Sequence, residues 1–83
     1  MITGWFNEKI TPVTEEGTAY DLEKKAPAGS IIIRESMPDY RITVYDFRTG
    51  SWNVGESKIE YGLSLAKIKA ELMLNKLISC RTQ

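Results

Sequence analysis

Between Ser64 and Ile78 the chain reads SLAKIKAELMLNKLI, a run of strong helix formers uninterrupted by Gly or Pro. An α-helix here is the constraint that every other segment must meet. Gly62 precedes it, and Ser64 is placed to cap it, because a serine hydroxyl accepts a first-turn N–H that lacks a partner within the helix. Lys76 falls in the last turn, where a cation suits the negative end of the helix dipole. At about 100° per residue, Ala66, Ala70, Met73 and Leu77 fall together with Leu74 beside them, and Leu65, Ile68 and Leu72 fall nearly opposite. Lys69 and Lys76 fill one seam between these faces; Lys67, Glu71 and Asn75 lie in or near the other. A surface helix ordinarily carries one apolar stripe. This one carries two. Either the helix is sunk in a small core, or one face packs on the rest of the chain and the other meets a second copy or a different protein.

The preceding residues supply the strands. Ser30–Ser36 (SIIIRES) is rich in β-branched side chains and reads as a strand. Its continuous apolar run suits a central strand; as an edge, it would instead recruit a partner strand. Ser36-Met37-Pro38-Asp39 is a turn, with φ fixed at Pro38. Tyr40–Phe47 alternates, with Tyr40, Ile42 and Val44 on one face and Arg41, Thr43, Tyr45 and Phe47 on the other. Arg48-Thr49-Gly50 connects it to a third strand, Ser51–Val54, which puts Trp52 and Val54 on one face. Ile59, Tyr61 and Leu63 alternate, leaving room for a fourth short strand. Ile2, Trp5 and Phe6 suggest a short strand before Pro12, its aromatics covering the core edge. Residues 13–29 read as a loop with at most two helical turns, through Leu22 to Lys25, since Gly17 interrupts any longer helix. The expected fold is α+β: a three- to four-stranded antiparallel meander with a C-terminal α-helix packed across one face. The chain is expected to form one domain, with residues 1–29 irregular, 30–55 the meander and 64–79 the helix.

Hydrophobic content of 42% and charged content of 27% are those of a globular chain. The net charge of zero argues against a protein whose main task is gripping nucleic acid or an anionic membrane. The lone cysteine, Cys80, forms no intramolecular disulfide and is read as an incidental thiol in a reducing cytoplasm. No run of about 20 apolar residues is present to cross a bilayer, and no signal peptide is read at the start.

The absence of histidine removes the Ser-His-Asp and Cys-His nucleophilic machinery, together with histidine metal ligands. The acidic residues are scattered, without calcium-loop spacing, and Gly50 and Gly55 are separate turn residues rather than a phosphate loop. No catalytic residues, metal or cofactor are therefore assigned. An open sheet face carrying Arg41 and Tyr45, with Arg48 nearby, would allow bases to stack and phosphates to be neutralised. Against this, Trp5 and Phe6 would cover Tyr45 and Phe47, and Asp46, Asp39 or Glu35 would pair the arginines. The order of sheet then helix, with Gly55, Ser57 and Lys58 before the Ala66-rich helix, resembles the closing segment of the double-stranded-RNA-binding domain. The resemblance covers under half the chain and lacks that family's Gly-Pro-x-His loop, so no RNA-contact role is carried across.

The sequence therefore points to a non-catalytic protein-interaction module: a regulator, inhibitor or accessory protein, of a type frequent in phages and mobile elements. It would bind another protein or itself as a homodimer through Leu65, Ile68 and Leu72, rimmed by Lys69 and Lys76. The alternative is a nucleic-acid-binding domain using Arg41, Tyr45 and Arg48.

Overall fold

A computed structural model of the protein describes residues 4–10 and 14–81, and among them the side chains of residues 4, 5 and 16–79. Five strands follow one another: β1 (Trp5–Ile10), β2 (Thr14–Asp21), β3 (Ala26–Ser36), β4 (Asp39–Asp46) and β5 (Ser51–Lys58). A 3-10 turn, Ile59–Tyr61, then leads into α1 (Leu63–Arg81). Each strand pairs antiparallel with the next, in the order β1-β2-β3-β4-β5. The α+β class, the meander and the C-terminal helix across one face agree with the sequence reading.

The sheet is larger than the expected meander: β1 falls where a short strand around Trp5 and Phe6 is suggested, and β2 comes from the segment read as loop. Residues 14–21 form β2, which pairs along its whole length with β3. This run is polar, and among its described side chains Gly17, Ala19 and Asp21 are buried. Its extended state is imposed by its neighbours, since strand formation depends more on cross-strand packing than on intrinsic preference. Leu22–Lys25 forms the β2–β3 turn instead of a helical turn, and Pro27 lies inside β3. No strand forms at residues 59–63: β5 continues to Lys58, and Gly62, at φ 91°, turns the chain into the helix. The helix therefore starts at Leu63, one residue before Ser64, and Gly62 O accepts the Ala66 N–H. It runs on to Arg81, so Lys76 precedes the last turn. The Met37–Pro38 peptide bond in the β3–β4 turn is cis, the arrangement that defines a type VI turn.

β3 is the middle strand, with β2 and β4 on either side, as the continuous apolar run of Ser30–Ile33 suggests; the alternative of a free edge does not hold. Ile31 and Ile33 are buried against the helix side, and Ile32 is half-buried on the opposite face. Ile42 and Val44 of β4 complete the sheet's contribution to the core, while α1 supplies Ala66, Ala70 and Leu74. Trp5 closes the core's far margin: its indole N–H donates to the Glu71 carboxylate, and Lys67 Nζ lies 5.3 Å from the centre of its ring.

Two turns at one end of the sheet share a design. Asp21 opens the β2–β3 turn, accepting the Glu23 and Lys24 N–H groups at Oδ1 (3.1 and 3.2 Å). Asp46 opens the β4–β5 turn, accepting the Arg48 N–H at Oδ1 (2.8 Å) and the Thr49 hydroxyl at Oδ2 (2.9 Å). Each turn then places its fifth residue in the left-handed region, Lys25 at φ 52° and Gly50 at φ 69°. Short carboxylates suit this role because they bond backbone N–H groups two and three residues ahead.

Candidate docking surface beside strand β5

The helix seats its small-residue face on the sheet because the sheet is relieved beneath it. A Cβ added at Gly29 of β3 would lie 2.8 Å from both Leu74 methyl groups, and one at Gly55 of β5 would lie 2.8 Å from Met73 Sδ. Glycine at both positions lets α1 approach within side-chain contact of the strands. Ala66 and Ala70, fully buried, allow the same closeness from the helix side.

This seating turns the other apolar face outward. Leu65, Ile68 and Leu72 are 43%, 54% and 63% exposed, and Tyr61 beside them is 60% exposed. With Lys69 they line a groove of about 460 Å³, whose opposite wall is Asp39, Glu56, Ser57 and Lys58. The groove thus lies between the outward helix face and the C-terminal half of β5. Lys58 Nζ sits 3.3 Å from Asp39 Oδ1 at its rim, an exposed pair of small energetic weight. Lys69 reaches over the groove to donate to the Glu56 carbonyl at 2.6 Å.

Of the residues singled out from the sequence, Leu65, Ile68, Lys69 and Leu72 are brought together in this groove. Lys76 is exposed on the same helix but lies outside the lining. Tyr61 and the β5 wall were missed. Their strand partner β4 and the 3-10 turn that aims Tyr61 are tertiary features, and the alternation of Ile59, Tyr61 and Leu63 suggests a strand instead.

The second residue set, on the open sheet face, is only partly assembled. Arg41 is exposed there, with Arg34 directly across on β3 and Glu56 across on β5. Tyr45 faces the same way, its ring centroid 4.6 Å from Trp52 and 5.9 Å from Phe47. Among the described side chains its ring companions are its own strand-end and cross-strand neighbours, while Trp5 lies on the helix side of the sheet and the Phe6 side chain lies outside the described ones. Arg48 does not join them, because it is committed to Asp21 in an ion pair at 2.8 Å. Neither Asp46, Asp39 nor Glu35 is its side-chain partner. Among the described residues no group of three or more His, Cys, Asp or Glu is placed to hold a metal, and no helix is long and apolar enough to cross a membrane. The Cys80 thiol lies outside the described side chains.

Compared with protein-family models, curated proteins and solved structures, the chain matches none.

Proposed function

We propose that this chain is a non-catalytic protein-interaction module that docks a partner protein in the groove between α1 and β5. The reading is supported by one observation above all: Leu65, Ile68, Leu72 and Tyr61 form a contiguous exposed apolar wall. Isolated exposed apolar side chains are ordinary, but a contiguous patch with a polar rim is characteristic of a docking site. Lys69, Lys58, Asp39 and Glu56 form that rim, which suits an interface with an apolar centre and charged margin. A role as a regulator, inhibitor or accessory protein in the cytoplasm fits a chain with one cysteine and no histidine.

Leu72→Asp tests it. The side chain is mostly exposed, so the variant keeps wild-type circular dichroism and loses the proteins that the wild type retains in parallel pull-downs. Unfolding of Leu72→Asp would show that this face is core. Retention of every partner would remove the face from the function.

A further inference from the structure

The groove has open backbone along one side. Among the described residues β5 is an edge of the sheet, paired with β4 alone. In antiparallel pairing, successive residues turn their N–H and C=O groups to alternate sides. Ile59 donates its N–H to Pro38 O, on the β4 side. The alternation therefore turns Asn53, Gly55 and Ser57 toward β4, and the backbone groups of Trp52, Val54, Glu56 and Lys58 outward. The Lys69 ammonium at the Glu56 carbonyl agrees with this assignment.

We infer that this edge and the outward helix face together take a second copy of the chain, β5 pairing antiparallel with the partner's β5 about a twofold axis at Gly55. The inference rests on the reading of this face as a protein-docking surface, and names its occupant. Three observations select a second copy.

First, the edge is self-complementary in one register. An axis at Gly55 sets Trp52 against the partner's Lys58 and Val54 against the partner's Glu56, so all four outward residues are paired. The ammonium of Lys58 then meets an indole, a favourable cross-strand contact. An axis moved to Glu56 would set two carboxylates against each other, which is unfavourable. An axis moved to Val54 would carry Lys58 past the start of the partner's strand.

Second, the helix-side residues of β5 are small. Ser51, Asn53, Gly55 and Ser57 leave the space above the new strand junction to the helices. Third, the helix spacing fits. α1 lies mainly over β4 and β5. Adding one strand spacing of about 4.8 Å leaves the two α1 axes about 10 Å apart, at the upper end of the usual helix-packing distance. The stripes of Leu65, Ile68 and Leu72 then face one another as a twofold interface requires. In the single chain Lys69 guards the edge, as lysines commonly do; in the pair it yields the Glu56 carbonyl to the N–H of the partner's Val54.

The test is sedimentation of the full chain under reducing conditions across micromolar concentrations, with amide hydrogen exchange on the same samples. The expected result is twice the 9.4 kDa chain mass, with the N–H groups of Trp52, Val54, Glu56 and Lys58 slowed at least tenfold as the dimer forms. Val54→Pro removes an outward N–H without touching the β4 pairing, and it should return the chain to monomer. Monomer at every concentration overturns the inference, and leaves the docking reading to stand or fall on the Leu72→Asp pull-downs. A dimer in which these four N–H groups exchange freely also overturns it, whether or not Val54→Pro folds. A dimer that persists in a folded Leu72→Asp overturns the use of the helix face in both.

Discussion

Arg48 in the β4–β5 turn donates Nη2 to Asp21 Oδ2 in the β2–β3 turn at 2.8 Å, joining two hairpins 27 residues apart. The Asp21 side chain is almost wholly shielded and the Arg48 side chain one-quarter exposed. The contact is thus a shielded tie across the end of the sheet, of the kind whose carboxylate depends on its partner.

That dependence sets a pH response. The hydrogen bond from Arg48 holds the Asp21 carboxyl below its ordinary value of 3.8; burial opposes this, and the Lys24 N–H adds to it. A carboxyl with a folded pKa lower than its unfolded one binds more protons when unfolded. Its stabilisation is fully present above the unfolded value and is lost as pH falls through the folded one. Thermal unfolding followed from pH 6 downward should therefore show a falling Tm below about pH 4. Arg48→Met should lower Tm at neutral pH and flatten this acid limb. An unchanged acid limb would show that other carboxylates govern it.

Lys25 and Gly50 hold the same left-handed position in their two turns. That region costs a residue with a side chain roughly 1–2 kcal/mol, while glycine enters it freely but loses more chain entropy. Lys25→Gly should therefore stabilise the protein by about 0.5 kcal/mol, and Gly50→Lys should destabilise it by about 1 kcal/mol. Urea denaturation midpoints at constant slope read both. Equal signs for the two changes would break the equivalence of the turns.

The two glycines under the helix should respond unequally to a methyl group. A Cβ at Gly29 meets the Tyr45 carbonyl oxygen at 2.5 Å as well as Leu74, whereas at Gly55 it meets the flexible end of Met73. Backbone cannot yield as a thioether does. Gly29→Ala should cost about 2–3 kcal/mol, and Gly55→Ala less than about 1.5 kcal/mol, measured by chemical denaturation. The reverse order would show that Met73 is held more rigidly than its chemistry suggests.

The legible parts of this fold were those in which one segment carries its own pattern. Tyr40–Phe47 alternates cleanly, and as far as Asp46 it is a strand with the predicted faces, Phe47 entering the turn. The helix was legible from its residues, and its two faces from the angular spacing of Ala66, Ala70 and Leu74 against Leu65, Ile68 and Leu72. Which face packs inward was not, because both are apolar and the decision rests on Gly29 and Gly55, far away in sequence. β2 was illegible for a similar reason: Gly17 and Ala19 are too small to mark a core strand locally, and its strand character comes from pairing with β3. At the groove, the apolar wall was readable and the strand wall was not. The place of Glu56 and Lys58 depends on β5 being the last strand of a five-stranded sheet. Arg48 was misplaced because its partner, Asp21, lay in a segment read as loop.

The helix of this protein carries two candidate outer surfaces in its own sequence, and it displays only one. The choice is written elsewhere, in the missing side chains of a middle strand and an edge strand. A change at Gly29 or Gly55 that rolled α1 about its axis would alter no residue of the groove. It would nevertheless replace Leu65, Ile68 and Leu72 with a flatter surface of alanines, methionine and leucine. Changes of partner preference in such a chain can therefore arise by substitution on the sheet, at a position such as Gly29 that lies under the helix and outside the docking groove.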